Sequence, residues 1–344
     1  MNKKVAVAMS GGVDSSLTAA ILLYKGFEVV GVTMKLDDAN GCCDINDAQT
    51  IAAQLGIEHF VADFREIFRA AVEDYFVAEY LHGRTPNPCV RCNREIKFGK
   101  LFDFAEYIGA DFLATGHYAR IVFEDERFKL KKAVDVRKDQ SYVLYNLTPE
   151  KLAKIILPLG ALSKSETRSI AERLKIPVAH KPDSQEICFV PNDDYKSFIS
   201  SREPNSDALQ AGDIVDDCDG KILGQHNGVA NYTIGQRKGL GIAAPHPLYV
   251  TSLDVDNRKV FVGTGEKLFS ETLTAHDAHW IYKPDLPKTF DAKIRYGSRV
   301  AKCVVSEDEN FLRVKFSEPQ RAITAGQSIV FYDGDEVLGG AIID

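Results

Sequence analysis

The stretch KKVAVAMSGGVDSSLTAAILLYKG, residues 3–26, constrains this chain more than any other. An apolar run at 4–9 reads as a buried strand. SGGVDSS (10–16) leaves that strand, and an apolar-periodic helix follows over 15–26, closed by Gly26. Two glycines, an aspartate and three serines at one strand-to-helix junction exceed what a turn and a cap need. Glycine lets backbone N–H groups approach a phosphate closely, and the helix N-terminus adds about half a positive charge. Ser10, Ser15 and Ser16 add hydroxyls. No lysine follows the glycines, so this is not the GxxxxGK[ST] loop, and the spacing is not GxGxxG.

The following segments repeat the alternation. A second strand is expected at 27–36, a helix at 45–55, a strand at 58–64, amphipathic helical patterns at 65–80 and 93–108, and a strand at 111–118. Residues 119–134 read as a hairpin. Helical patterns return near 149–156 and 164–174, the latter opened by a capping box from Ser163 to Glu166. Strands alternating with helices indicate a parallel sheet in an α/β domain. After about residue 201 short strand-like runs take over, including YTIGQRKGLGI (232–242), which suggests small all-β domains or barrels. The expected division is a catalytic domain over 1–200, a β-rich domain over 201–268 and a β-barrel over 269–344. A length of 344 residues accommodates this. The net charge of −7 leaves nucleic acid open, because binding depends on a local basic face. Candidate faces are Arg137, Lys138 and Gln140; Gln236, Arg237 and Lys238; and Arg295 with Tyr296. The N-terminal apolar run is too short for a signal segment, and there is no run of eighteen apolar residues. The expectation is a cytoplasmic protein without a membrane span.

In that compartment the seven cysteines are expected to be reduced thiols, metal ligands or catalytic groups. Cys89 and Cys92 form a C-x-x-C flanked by Arg91, Arg94 and Lys97, and a nearby positive charge lowers a thiol pKa. Cys188 lies between Ile187 and Phe189 and by itself reads as a core thiol. Three thiolates from Cys89, Cys92 and Cys188 could hold a [4Fe–4S] cluster with one iron open. Zinc normally takes four ligands, and only three are evident. Cys42 and Cys43 form a further pair of undecided role, and Cys218 and Cys303 read as packing residues.

SGGVDSS is similar to the pyrophosphate loop (PP-loop) of the N-type ATP pyrophosphatases, which cleave ATP between the α and β phosphates and adenylate a carbonyl oxygen. GRTPNPCVRCNREIKFG (83–99), ATGHYAR (114–120), KDQSYVLY (138–145), DSQEICF (183–189), YTIGQRKGLGI and AGQSIVFYDG (325–334) follow in order. Together they resemble the tRNA-specific 2-thiouridylase family over essentially the whole chain. The resemblance implies an adenine-nucleotide alpha-hydrolase-like catalytic domain with a helical tRNA-binding part, followed by two small β-rich domains. It implies replacement of the 2-oxygen of wobble uridine by sulfur, with ATP and Mg²⁺. It places Ala8, Met9, Ser10, Gly11, Gly12, Val13, Asp14, Ser15, Met34 and Gly116 at ATP, with Asp14 helping to place the metal. Asn87, Pro88 and Cys89 fall at the target base, and His117, Lys138, Asp139, Gln140, Arg295, Tyr296 and Gln327 on the tRNA. Cys188 corresponds to a persulfide carrier and Cys92 to the nucleophile that releases the product. The partners implied are tRNA and a sulfur-donor protein, either a cysteine desulfurase or a sulfur relay protein. Many members carry Asp where this chain has Cys89, and an acid there has a proton-transfer role that a thiol does not inherit. Persulfide relay and iron–sulfur cluster both remain open at this point, and a small-molecule adenylating ligase, which needs no cysteine, is the competing class.

Overall fold

The computed structural model describes residues 3–38, 43–182, 187–309 and 311–344. Strand β1 (Lys4–Ala8) runs into the SGGVDSS turn and helix α1 (Val13–Tyr24). Then come β2 (Glu28–Lys35), α2 (Ile45–Leu55), β3 (Glu58–Asp63) and a long helical passage. That passage comprises α3 (Arg65–Phe68), a π-helical turn at Arg69–Glu73 and α4 (Asp74–Leu81). A second passage comprises α5 (Pro88–Cys92), a π-helical stretch at Asn93–Lys100 and α6 (Leu101–Tyr107). β4 (Phe112–Ala114) precedes the hairpin β5 (Ala119–Glu124) and β6 (Arg127–Lys132). After α7 (Pro149–Leu152), β7 (Ile155–Ile156), α8 (Lys164–Arg173) and α9 (Tyr195–Arg202) the chain becomes all-β.

The first sheet has the order β3-β2-β1-β4-β7 and every pairing is parallel. Side chains alternate across β1. Val5 and Val7 join Leu17, Leu22 and Ile51 on one face, and Ala6 joins Phe68, Phe76 and Ile96 on the other. With both faces covered, the strands need no polar side. Fully buried Phe68 and Phe76 each contribute about 1.5–3 kcal/mol by leaving water. The capping box is present: Ser163 Oγ accepts from the Glu166 N–H, and the Glu166 carboxylate accepts from the Ser163 N–H at 2.7 Å.

Three sequence expectations change. The helix expected over 149–156 is one turn, and the pair Ile155–Ile156 enters the sheet as its fifth strand. A short apolar pair carries no period of its own, so its pairing with β4 decides. The strand expected over 111–118 stops at Ala114. YTIGQRKGLGI forms no strand; Gly235, Gly239 and Gly241 turn the chain with φ of 85°, 77° and 68°, a region a side chain opposes.

The central strands β8 (Gly212–Asp216), β9 (Ile222–His226), β10 (Tyr249–Asp254) and β11 (Lys259–Gly263) form a sheet of order β10-β11-β8-β9. The last strands are β12 (Phe269–Trp280), β13 (Lys288–Lys293), β14 (Ala301–Asp308), β15 (Phe311–Arg321), β16 (Ser328–Asp333) and β17 (Glu336–Ile343). They run in the order β12-β15-β14-β13-β16-β17, and a β12–β17 pairing closes them into a six-stranded barrel. The hairpin β5–β6 adds to this barrel, pairing Lys131 with Glu336 and Leu130 with Val337, so the α/β part of the chain and the barrel share a sheet. Among the described residues no helix is long and apolar enough to cross a membrane.

Candidate functional site

The chain steps from β1 to β2 and β3 on one side of the sheet, then returns to place β4 on the other side of β1. A crevice opens at the carboxyl ends of strands where the order reverses this way. Three sequence-predicted nucleotide segments converge there: the loop after β1, Met34 near the end of β2, and Gly116 just beyond β4. The loop has a defined internal structure. Ser15 Oγ accepts from the Ser10 N–H and donates to the Gly12 carbonyl, both at 3.1 Å, and Ser16 Oγ donates to the same carbonyl at 2.8 Å. Ser15 and Ser16 are buried, so their hydroxyls shape the loop, whereas Ser10 is exposed at its rim. Gly12, the N-cap of α1, brings no side-chain acceptor, which leaves the first helical N–H groups to an anion. Met9, Val13 and Met34 are buried and Ala8 is half-buried, so their side chains pack into the two core clusters that flank the sheet.

Close approach explains two glycines. Gly11 has φ 75°, and a Cβ there would lie 2.5 Å from the Asp44 carbonyl oxygen. A Cβ on Gly116 would lie 2.9 Å from the Asp14 carbonyl carbon and 3.0 Å from the Ser15 nitrogen.

Sequence reasoning missed the charges around the loop. Lys164 Nζ donates to both Asp14 carboxylate oxygens at 2.8 Å, and the Tyr118 hydroxyl donates to Asp14 Oδ1 at 2.8 Å. Lys181 pairs with Asp44 at 3.1 Å and Asp47 at 2.6 Å. The one local signal for Lys164 was its place just after the capping serine of α8, in a turn whose neighbours only the sheet order reveals.

The cysteine loop is built by its sequence. Asn87 caps α5, accepting from the Val90 N–H at 3.2 Å, and Pro88 occupies the first turn, where its missing N–H costs nothing. Positions three and four apart share a helix face, so Cys89, Cys92, Asn93 and Ile96 form one stripe, with Lys97 completing it. Cys92 and Asn93 are buried and Cys89 is exposed. Although water reaches Cys89, protein crowds it on most sides, and this desolvation raises its pKa. Burial pushes Cys92 up to about 12. Lys97 opposes both shifts, while the neighbouring Cys188 thiol adds to them. Cys188 is half-exposed against the core that holds Phe68, Phe76 and Phe189. Cys188 thus packs against the same apolar core that holds Cys92. The motif segment at 183–186 lies outside the described residues, as does Cys42.

This arrangement does not favour the cluster alternative. Among the described residues, which include Cys89, Cys92 and Cys188, no three cysteine, histidine or carboxylate side chains gather closely enough to hold a metal ion. Cys43 and Cys303 are buried and Cys218 is exposed, all as free thiols.

The tRNA candidates fall into two groups. Tyr296, 45% exposed, reaches over Tyr142 with ring centroids 6.0 Å apart. Burial raises its pKa, and Asp139 and then Cys89 add to the shift. Arg295 is partly exposed and points its guanidinium toward the Arg321 carbonyl at 3.5 Å, and Lys138 is half-buried. Asp139 belongs to the second group: it is 7% exposed, and its carboxylate accepts from the N–H groups of Ala133 and Ser141 and from the Ser141 hydroxyl. Gln140 likewise accepts from the Tyr118 N–H at 2.9 Å. Both shape the 133–141 loop. Gln327 donates to the carbonyls of Thr85 at 2.7 Å and Pro86 at 3.3 Å, so its amide ties the barrel to the cysteine loop. His117 is buried, bonded to Thr115 at 2.7 Å, with its ring 5.8 Å from Phe98. Burial and then Lys97 hold it well below the ordinary histidine range, so it is neutral.

A parallel sheet with a glycine–serine loop at its switch point, carrying a β-sheet domain and a closed barrel behind it, defines a multidomain PP-loop protein. Residues 3–192 match the tRNA methyl transferase HUP domain family, 196–264 the tRNA methyl transferase PRC-barrel domain and 270–343 the aminomethyltransferase beta-barrel domain. The chain is 48% identical to the tRNA-specific 2-thiouridylase MnmA of Carboxydothermus hydrogenoformans, across 99% of this chain and 98% of that one. It is 47% identical to the protein of that name from Clostridium acetobutylicum, across 100% of both chains, and 48% identical to that of Acetivibrio thermocellus, across 99% of both. This chain belongs to the tRNA-specific 2-thiouridylase family.

Proposed function

We propose that this chain converts wobble uridine in tRNA to 2-thiouridine, consuming ATP and releasing AMP and diphosphate. The observation that carries the reading is the conjunction of a PP-loop at the sheet's switch point with Cys92 and Cys188, far apart in sequence, packed on one apolar core. The uridine C2 carbonyl is a poor electrophile with a poor leaving group. Attack of its oxygen on the α phosphorus of ATP makes AMP the leaving group. The backbone N–H groups of the loop and α1 receive the phosphates, with the adenosine toward Met34 and Gly116. Asp14 is the carboxylate that fits Mg²⁺, which offsets phosphate charge when bound. Sulfur arrives as a persulfide on Cys188, given by a donor protein. Its terminal sulfur attacks C2, AMP departs, and a thiol of the cysteine loop then cleaves the sulfur–sulfur bond to release product; the family resemblance gives that role to Cys92. Tyr296 and Arg295 line the approach of a splayed base and its backbone, with His117 and Lys138 further in. The reaction belongs in the cytoplasm, where tRNA, ATP and reduced thiols coexist.

Methyl transfer, the activity in the domain names, has no use for a pyrophosphate loop. A small-molecule ligase would need no thiols. The test is a tRNA transcript incubated with ATP, Mg²⁺ and a persulfide donor, followed by nucleoside mass spectrometry. The expected product is 2-thiouridine at the wobble position, lost with Cys188→Ser. Unmodified uridine from a donor competent on another thiolase would overturn the reading.

A further inference from the structure

The motif YTIGQRKGLGI ties the central sheet to the barrel. The Gly235 N–H donates to the Val250 carbonyl at 2.8 Å, and the Val250 N–H donates to the Gln236 carbonyl at 2.9 Å, so the motif is stitched to β10. A Cβ on Gly235 would lie 2.9 Å from the Ala322 Cβ, so the same turn rests on the end of β15. A groove of about 450 Å³ opens at this junction, within the size range of small-ligand sites. Its walls are aromatic and cationic. Phe269 on β12 and Arg321 on β15 are direct cross-strand partners, and the Phe269 ring is 51% exposed. Arg321 lays its guanidinium over the Tyr249 ring, 5.0 Å from the centroid. His246 and Glu266 also line the groove. The turn that rests beside Arg321 carries Arg237 and Lys238, both exposed.

Contacts run from this groove to the cysteine loop. The Arg295 guanidinium donates to the Arg321 carbonyl at 3.5 Å, and the ring of the adjacent Tyr296 stands 6.0 Å from that of Tyr142. The Tyr142 hydroxyl donates to the Ser328 carbonyl at 2.7 Å, and the neighbouring Gln327 donates to the Thr85 carbonyl at 2.7 Å. The groove is therefore continuous with the surface proposed for tRNA. Aromatic faces and guanidinium planes are what unstacked RNA bases stack on. A phosphate fits the groove poorly, because the Glu266 carboxylate lines it and repels an anion. A base edge with N–H donors suits that carboxylate, and guanine presents two adjacent donors. Resting on the thiolation reading, we infer that this groove holds an unpaired nucleobase of the bound tRNA, a guanine distinct from the base that is thiolated. The base stacks on Phe269 and the Arg321–Tyr249 pair, its edge donates to Glu266, and the flanking phosphates lie toward Arg237 and Lys238. The tRNA is thus gripped at a second point besides its target uridine.

The experiment measures binding of a tRNA transcript with a wobble uridine to the full-length protein over a salt series. Tyr249→Ala and Phe269→Ala should each raise the dissociation constant about tenfold at every salt concentration, the worth of one stacked base. The slope against the logarithm of salt should stay the same, because no phosphate contact is lost. Tyr249→Phe should keep the wild-type affinity, because stacking uses the ring. Circular dichroism confirms that each variant is folded. Ultraviolet crosslinking of the wild-type complex, read by mass spectrometry, should join a guanosine to the peptide that holds Tyr249 or Phe269. Unchanged affinity in both folded alanine variants overturns the inference. So does a slope reduced by about 0.7–0.9, which marks a phosphate contact instead. A crosslink to a different base overturns the assignment to guanine. Full tRNA affinity, with thiolation lost only when a protein donates the sulfur, overturns the inference and gives the groove to that donor. Each of these outcomes leaves thiolation intact. A wild type that binds no tRNA and forms no 2-thiouridine overturns the thiolation reading itself.

Discussion

Lys164 Nζ sits 2.8 Å from each carboxylate oxygen of Asp14, bridging the first turn of α8 to the first turn of α1. The pair is mostly shielded from water, with side-chain exposures of 11% and 31%. It lies beside the glycine–serine loop proposed to receive the phosphates. On the proposed reading, bound ATP and Mg²⁺ would give Asp14 a cation partner and Lys164 phosphate oxygens.

Lys164→Met therefore lowers tRNA-dependent AMP formation by about 10²–10³-fold, the range for losing one preorganised group that stabilises developing charge. Asp14→Asn, by weakening the metal side, should give a comparable loss that higher Mg²⁺ partly restores. Steady-state AMP release across a Mg²⁺ series checks both. An unchanged rate in Lys164→Met would show the pair to be structural.

Gly11→Ala places a methyl 2.5 Å from the Asp44 carbonyl oxygen at φ 75°. Neither contact nor backbone tolerates it, and the expected cost is about 1–3 kcal/mol of strain. ATP affinity measured by calorimetry should fall at least tenfold. Gly26→Ala, also at positive φ but with no atom within 4 Å, should leave ATP affinity unchanged.

Gln327 holds the cysteine loop from the barrel, so Gln327→Ala should slow single-turnover thiolation roughly tenfold, the worth of about one hydrogen bond of 0.5–1.5 kcal/mol. Its tRNA dissociation constant should change by less than about twofold. A large rise in that constant with an unchanged rate would mean instead that the side chain turns to the tRNA.

The basic docking face predicts that tRNA affinity falls linearly with the logarithm of salt concentration. Arg295→Ala should reduce that slope by about 0.7–0.9, one phosphate contact. A flat response in the wild type would remove the face from the account.

Buried thiols give a pH dependence of stability. Burial, and then Asp291, raise the Cys303 pKa to about 12. Above the unfolded thiol value of about 8.5, the unfolded chain loses this proton while the folded chain keeps it. Stability due to this group is thus fully present below about pH 8.5 and declines as pH rises toward 12. Urea midpoints at pH 7.5 and 9.5 should fall less steeply in Cys303→Ala than in the wild type, whatever their absolute values.

What the sequence determined by itself was local. The SGGVDSS loop, the strand–helix alternation, the Ser163–Glu166 capping box and the β-rich second half all follow from spacing within a few residues, because helix faces, caps and phosphate turns are short-range devices. Only the tertiary structure brought Lys164 to Asp14, 150 residues away, and Gln327 to Thr85, 242 residues away. It also turned Asp139 inward and made Ile155–Ile156 a strand. These outcomes rest on which strand lies beside which, and on the desolvation that packing imposes. The same packing left Cys89 open while burying Cys92 three residues on, a difference of environment that a C-x-x-C spacing does not contain.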